Sequence, residues 1–269
     1  MTKKVFFADL DGTLLTDEKK ISPVTRKAVT EYINRGNYFA ICTGRPIKSA
    51  VVYYNALGIS DRNSFIISYN GAQIYDCEHK KTVFSAPLSY ELTQKLFEIS
   101  ESLGVYIQTF SDDNVICKKV DENSNFYHIH NKIPFLEADD IISALPSPPS
   151  KAMCIELHDL SKLEKVREAA NASLGDKLQM VYSAENYLEF FSLDAGKGNA
   201  VRGLCDYLNI PIEDSVAAGD QQNDISMLSA AGLSIAMCNG TDEVKKIADV
   251  VTSKDNNNDG LAEFFDSYK

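Results

Sequence analysis

The stretch KKVFFADLDGTLLTDE, Lys3 to Glu18, constrains the fold more than any other part of the chain. An apolar run, Val5 to Ala8, ends in two aspartates separated by one leucine, and Gly12 and Thr13 follow at once. A run so short and so apolar reads as a buried strand. Its end then carries a carboxylate that is costly to desolvate unless something offsets the charge. A hard divalent cation, held by one or two carboxylates with water and substrate phosphate, would do so.

The pattern that follows names the kind of sheet. SPVTRKAVTEYINRG reads as a helix, with Ser22 at the N-cap, Pro23 in the first turn and Gly36 at the stop. YFAICTG is the next strand. RPIKSAVVYYNALG is the next helix, opened by Pro46 and closed by Gly58. SFIISYNG is a third strand, with Asn70-Gly71 as a tight turn. Strands alternating with helices of this length predict a Rossmann-like, doubly wound parallel sheet. Ligands of such sheets bind beyond the carboxyl ends of the strands. Asp9, Thr43 and Asn70 all fall there.

The middle of the chain breaks the pattern. From about Pro87 to Tyr187 come a helix, alternating strands, a polar stretch, the loop LPSPPS, and then a strand, a helix and two more strands. This is α+β with antiparallel character, and it reads as an insertion. The last part returns to strand and helix alternation, with SVAAGD, LSIAMC and DVVT as strands. The predicted class is thus an α/β core, residues 1–86 and 188–269, with an inserted α+β cap, residues 87–187. NNND near the end reads as a short polar loop.

Composition narrows the partners. A formal net charge of -11 argues against nucleic acid and against an anionic membrane surface. It leaves room for an anionic small substrate at a local positive site. The six cysteines are scattered, with no C-x-x-C pair, so neither a zinc site nor a disulfide framework is expected. No apolar run approaches the ~18 residues of a membrane span. Asp9 interrupts the apolar segment after Lys3 and Lys4 too early for a signal peptide. The expectation is a cytoplasmic protein, monomer or homodimer, acting on a small molecule.

The polar residues at the strand ends suggest the chemistry. Asp9 and Asp11 lie two apart, although Asp11-Gly12 alone reads equally well as a turn. Asp220 stands just past another buried strand, with Asn223 and Asp224 opening a helix, where capping is the plainer role. Thr43 offers a hydroxyl, with Gly44 and a helix start behind it and Arg45 beside it as a cation for phosphate. Lys197 lies between two glycines at a helix start, yet the segment is no P-loop, because Phe191 occupies the place of its first glycine. Together these are the parts of phosphoryl transfer: a carboxylate nucleophile, a Mg²⁺ site, a lysine and a hydroxyl.

DLDGT, CTGR, the glycine-flanked lysine and GDQQND, in that order, resemble the four motifs of the haloacid dehalogenase-like phosphatases. SYNGA, the large middle insertion and the tail NNNDGLAEFF resemble their Cof-type subgroup. The resemblance implies Asp9 as nucleophile and metal ligand, and Asp11 as general acid-base whose backbone carbonyl faces the metal. It implies Thr43 and Lys197 as phosphate binders, Asp220 as metal ligand, Asn223 on phosphate and Asp224 in the metal shell. Leu10, Gly44, Arg45, Asn70 and Gly71 would line the same mouth. It further implies Mg²⁺, a phosphate ester of a small metabolite such as a sugar phosphate, and a cap that closes over it. A phosphomutase on the same scaffold and a phosphoryl-accepting receiver module stand as alternatives.

Overall fold

The computed structural model describes residues 3–59 and 61–267. The opening run is β1 (Val5–Asp9), buried along its whole length. Then come α1 (Pro23–Asn34), β2 (Tyr38–Cys42), α2 (Ile47–Leu57) and β3 (Ser64–Ser68). Ser22 caps α1 by accepting the Thr25 N–H at 3.0 Å. A left-handed Gly58 (φ 60°) ends α2. Past Asn70 the chain adds β4 (Gln73–Asp76), antiparallel to β3, and β5 (Lys81–Ser85) at the sheet edge.

The second stretch holds α3 (Tyr90–Ser102), β6 (Tyr106–Phe110), β7 (Val115–Cys117), α4 (Glu122–Asn131) and β8 (Phe135–Glu137). It continues with α5 (Ile141–Ala144), β9 (Ala152–Ile155), α6 (Ser161–Leu174), β10 (Leu178–Ala184) and β11 (Tyr187–Ser192). The chain then returns through α7 (Lys197–Leu208), β12 (Ser215–Gly219), α8 (Ile225–Ala230) and β13 (Leu233–Ala236). It ends with α9 (Asp242–Ile247), β14 (Val250–Val251) and α10 (Ala262–Ser267).

The core sheet runs β14-β13-β12-β1-β2-β3-β4-β5. From β14 to β3 its neighbours pair in parallel. β1 lies centrally, and the chain crosses over from it toward β2 on one side and β12 on the other. That reversal of strand order is the switch point at which ligands bind in such sheets. The period of two along β1 sorts its side chains. Phe6 and Ala8 join a cluster with Val29, Tyr32 and Phe265 on one face. Val5 and Phe7 join Val201, Leu204 and Met227 on the other. Both faces are therefore covered by helices, as expected for the α/β core.

The chain divides into two compact units: one through Phe84 and again from Gly196, the other Ser85–Ala195. The second unit has its own sheet, ordered β10-β11-β9-β6-β7-β8 and antiparallel except for β7 and β8. Leu96, Phe97, Ile107, Cys154, Leu163 and Phe190 belong to its own apolar core. Its far boundary differs from the sequence expectation. Residue 187 is the first of β11, which pairs with both β10 and β9, so the break falls after the strand rather than before it. The polar stretch left unassigned in sequence holds α4 and β8. Among the described residues no helix is long and apolar enough to cross a membrane, and all six cysteines are free thiols.

Candidate active site

Four charged side chains meet at the carboxyl ends of the central strands. Asp9 closes β1, Asp220 follows β12 directly, Asp224 precedes α8, and Lys197 opens α7. Lys197 Nζ donates to Asp9 Oδ1 at 2.5 Å and to Asp224 Oδ1 at 2.6 Å. Its side chain is wholly buried. The ordinary fate of a lone lysine, a solvated surface position, is thus excluded for Lys197. Asp224 Oδ2 accepts the backbone N–H groups of Asp220 (3.0 Å) and Gln221 (3.1 Å), which fixes the carboxylate from behind. Thr13 Oγ1 donates to Asp220 Oδ1 at 2.8 Å.

Oxygens of Asp9, Asp220 and Asp224 lie within 4.8 Å of one another, all three residues buried. Three carboxylates against one ammonium leave an excess of two negative charges when all are ionised. Burial and the neighbouring carboxylates of Asp224 and Asp220 push Asp9 well above the usual carboxylate range, against the pull of Lys197. Burial and Asp224 raise Asp220 to about 6, with Thr13 and Lys197 opposing. Burial alone would discharge Lys197, but Asp224 and Asp9 outweigh it and keep the ammonium charged. The set is therefore short of positive charge. Oxygen donors at this spacing suit a hard cation, and a divalent one supplies the two missing charges.

Asp11 stands apart from this cluster. Arg45 forks onto it, Nε to Oδ2 at 2.7 Å and Nη2 to Oδ1 at 2.9 Å, and Lys19 Nζ adds a bond to Oδ1 at 2.7 Å. Arg45 is itself held by Ser49 Oγ at 3.3 Å and lies 5.0 Å over the Tyr53 ring. Burial pushes the Asp11 carboxyl up, but the bonds from Arg45 and Lys19 bring it down to about 2. So Asp11 is a paired carboxylate here, and its side chain is not among the candidate metal donors Asp9, Asp220 and Asp224; the metal-side role implied for it in sequence was that of its backbone carbonyl.

Thr43 and the Asn70 turn form the neighbouring wall. Thr43 is buried and accepts the Arg45 N–H on Oγ1 at 3.1 Å, and its carbonyl accepts the Asn70 N–H at 2.9 Å. Tyr69 (φ 51°), Asn70 (φ 53°) and Gly71 (φ 96°) are three left-handed residues in succession. Such backbone is costly for Tyr and Asn and persists where surrounding structure enforces it. One enforcing contact is visible: a Cβ on Gly71 would stand 2.3 Å from the carbonyl of Gly196, the residue before Lys197. The turn is thereby pressed against the start of α7. A Cβ on Gly44 would meet the Asn70 amide at 3.1 Å, and Asn223 Nδ2 donates to Asn70 Oδ1 at 3.2 Å. Leu10 buries its side chain in the apolar core, so only its backbone can serve the site.

Thr13, Lys19 and Tyr53 touch site residues and were not singled out from sequence. Thr13 had a signal, its place two residues after Asp11. Lys19 had none, because only the folded turn returns it to Asp11.

The family model for haloacid dehalogenase-like hydrolases matches residues 6–265. The 5-amino-6-(5-phospho-D-ribitylamino)uracil phosphatase YitU of Bacillus subtilis is 28% identical, over 97% of this chain and 95% of that protein. The phosphatase YwpJ of Bacillus subtilis is 29% identical, over 93% and 94%. A haloacid dehalogenase-like hydrolase from Bacteroides thetaiotaomicron superposes with a TM-score of 0.91 at 28% identity, covering all of both chains. With the motif residues gathered at one sheet switch point and the match spanning both units, the chain belongs to the haloacid dehalogenase-like hydrolases, an enzyme family in which these relatives are named phosphatases.

Proposed function

We propose that the protein is a Mg²⁺-dependent phosphatase of small phosphorylated metabolites, sugar phosphates foremost, working through an aspartyl-phosphate on Asp9. The observation that carries this reading is the buried Lys197, bonded at once to Asp9 and Asp224 inside a cluster with too little positive charge. That cluster accepts a cation and the phosphate that comes with it. Asp9, Asp220 and Asp224 would hold Mg²⁺, which when bound neutralises charge on the transferring phosphoryl group.

Lys197 occupies Asp9 Oδ1 and leaves Oδ2 to attack phosphorus. The bond from phosphorus to the leaving oxygen breaks, and that oxygen takes a proton from Asp11. Asp11 begins as a carboxylate, so it first takes that proton from solvent, once the arriving anionic phosphate offers Arg45 and Lys19 another partner; the proton later taken from water restores it for the next turnover. Water then attacks phosphorus, Asp11 takes the water's proton, and the Asp9–phosphorus bond breaks to release inorganic phosphate. Thr43, Asn223, Asn70 and the backbone of Leu10, Gly44 and Gly71 orient the phosphate oxygens. The inserted unit, Ser85–Ala195, selects the leaving group. Relatives named for a phosphorylated ribitylaminouracil favour a polyhydroxylated ester as the class to screen first. The free thiols fit a reducing cytoplasm.

The test is Mg²⁺ dependence, read twice. Hydrolysis of p-nitrophenyl phosphate is expected to stop with EDTA and return with excess Mg²⁺. Stability should follow with a defined sign. Asp220 ionises at 3.8 unfolded and about 6 folded, so between those values only the folded state keeps the proton. Stability of the metal-free protein therefore falls as pH rises across that window. Mg²⁺ should raise Tm near neutral pH, and the rise should shrink toward pH ~5 as protons compete for the same oxygens. Full turnover in EDTA, with a Tm indifferent to Mg²⁺, would refute the reading.

A further inference from the structure

The loop that follows Asp9 and Asp11 is held from outside by three asparagines, none of them in the four motifs that carry the chemistry, although Asn256 and Asn257 lie in the tail NNNDGLAEFF. Asn239, after β13, donates through Nδ2 to the Gly12 carbonyl at 2.8 Å. Its Oδ1 accepts the backbone N–H of Asn256 at 3.2 Å. Asn256, almost fully buried, donates through Nδ2 to the Leu15 carbonyl at 2.9 Å and to Asp17 Oδ1 at 3.1 Å. Asn257 completes the set with two bonds to Asp17, accepting its N–H at 3.0 Å and donating to its Oδ2 at 3.0 Å. The NNND segment, a plain polar loop in sequence, is thus bonded to the segment after the two aspartates, more than two hundred residues earlier.

Asparagine is the residue type this arrangement requires. The Asn239 and Asn257 amides each give and accept at once without charge, and that of Asn256 gives twice, whereas an aspartate would turn a carboxylate oxygen toward a carbonyl.

What the loop carries makes its position matter. Thr13 bonds Asp220, and Lys19 returns to Asp11. Between them the chain has neither helix nor extended strand: Leu14 and Leu15 N–H bond back to the Leu10 carbonyl (3.1 and 2.8 Å), and beyond them a turn is closed by Lys19 N–H to the Thr16 carbonyl (2.8 Å) and Thr16 N–H to the Lys20 carbonyl (2.9 Å). Lys19 sits in that turn at φ 59°, so its reach to Asp11 depends on the turn keeping its shape. Leu14 and Leu15 anchor the first half of the loop in the core, and the asparagines supply side-chain bonds to Gly12, Leu15 and Asp17 from outside it.

We propose that Asn239, Asn256 and Asn257 are positioning residues for Asp11, acting through the loop 12–20. The inference rests on the assignment of Asp11 as general acid in the proposed function.

It is tested with two esters of similar shape, p-nitrophenyl phosphate and phenyl phosphate. p-Nitrophenolate leaves readily without a proton, while phenolate relies more on one from Asp11. kcat/KM reports the first phosphoryl transfer, so the ratio between the two esters reads the acid alone. Losses of folded protein, of metal or of phosphate affinity lower both values equally and cancel. Asn256→Asp and Asn239→Asp, near in shape but reversed at the donor, are expected to raise the ratio about 5-fold or more toward that of Asp11→Asn. Asn257→Ala, exposed and safe for folding, should move it in the same direction by less. Asp11→Asn itself is expected to lose on the order of 10²-fold or more on phenyl phosphate. A wild-type ratio in all three asparagine variants, while Asp11→Asn shifts it, overturns the inference and leaves the acid assignment standing. An unshifted ratio in Asp11→Asn overturns both.

Discussion

Asp9→Asn is expected to lower kcat for p-nitrophenyl phosphate on the order of 10⁴-fold or more, in line with removal of a covalent nucleophile. The fold should survive the change. The substitution keeps the side-chain volume, and Lys197 retains Asp224 as its counter-charge. It also removes one of the three carboxylates that crowd the site and push Asp9 toward its neutral form. Metal-free Asp9→Asn should therefore melt no lower than wild type near neutral pH. Circular dichroism and steady-state kinetics on one preparation read both effects. Loss of activity with loss of fold would make Asp9 a structural residue. Retained activity would remove it from the chemistry.

Lys197→Met is expected to fail on both counts. It strips the ammonium that bonds two of three buried carboxylates in one pocket. Removing one partner of a buried ion pair costs about 3–5 kcal/mol, because the remaining charge stays buried and unpaired. Denaturant unfolding without metal should show a loss of that order. Added Mg²⁺ should recover part of the stability, since it supplies charge to the same oxygens, and recover little of the activity, since Asp9 Oδ1 has lost its donor. Asp9→Asn and Lys197→Met thus separate the two duties of the cluster. One removes the attacking atom and spares the fold, and the other removes the charge balance on which the fold depends.

The parts of the site legible in sequence are those tied to strand ends. A short apolar run that stops at a polar residue marks both the strand and the place where its last side chain emerges, and Asp9, Thr43 and Asp220 were all found that way. Lys197 was legible through its flanking glycines, and for one of them the reason is physical: a Cβ on Gly198 would stand 2.4 Å from the Ser226 carbonyl, so glycine lets α7 lie close against α8. The clamp on Asp11 was not legible. Lys19 is eight residues away, and only a left-handed turn brings it back. The asparagine contacts link positions more than two hundred residues apart, which no local pattern encodes.

The second unit shows the same limit. ENSNFYHIHN has little helix propensity, yet it forms α4. Asp121 and Ser124 close a capping box at its start. Tyr127 packs against the rings of Phe110 and Tyr187, at 5.7 and 6.1 Å. Tertiary contacts override the local preference there. The cap boundary was misplaced for a related reason. Tyr187–Ser192 reads as a strand in either unit, and only its pairing with β9 and β10 places it in the second sheet.

In the proposed mechanism the phosphoryl group rests covalently on Asp9 between substrate and water. The direct measurement is to mix the Mg²⁺-loaded enzyme with a ³²P-labelled phosphate ester, quench in acid on the millisecond scale, and map the label by proteolysis. An acyl phosphate is released by hydroxylamine, whereas phosphoserine and phosphothreonine are not. The expected result is a transient, hydroxylamine-sensitive label on the peptide that carries Asp9, absent from Asp9→Asn and decaying as inorganic phosphate appears. Turnover at full rate with no label, or with the label on another residue, would contradict the mechanism.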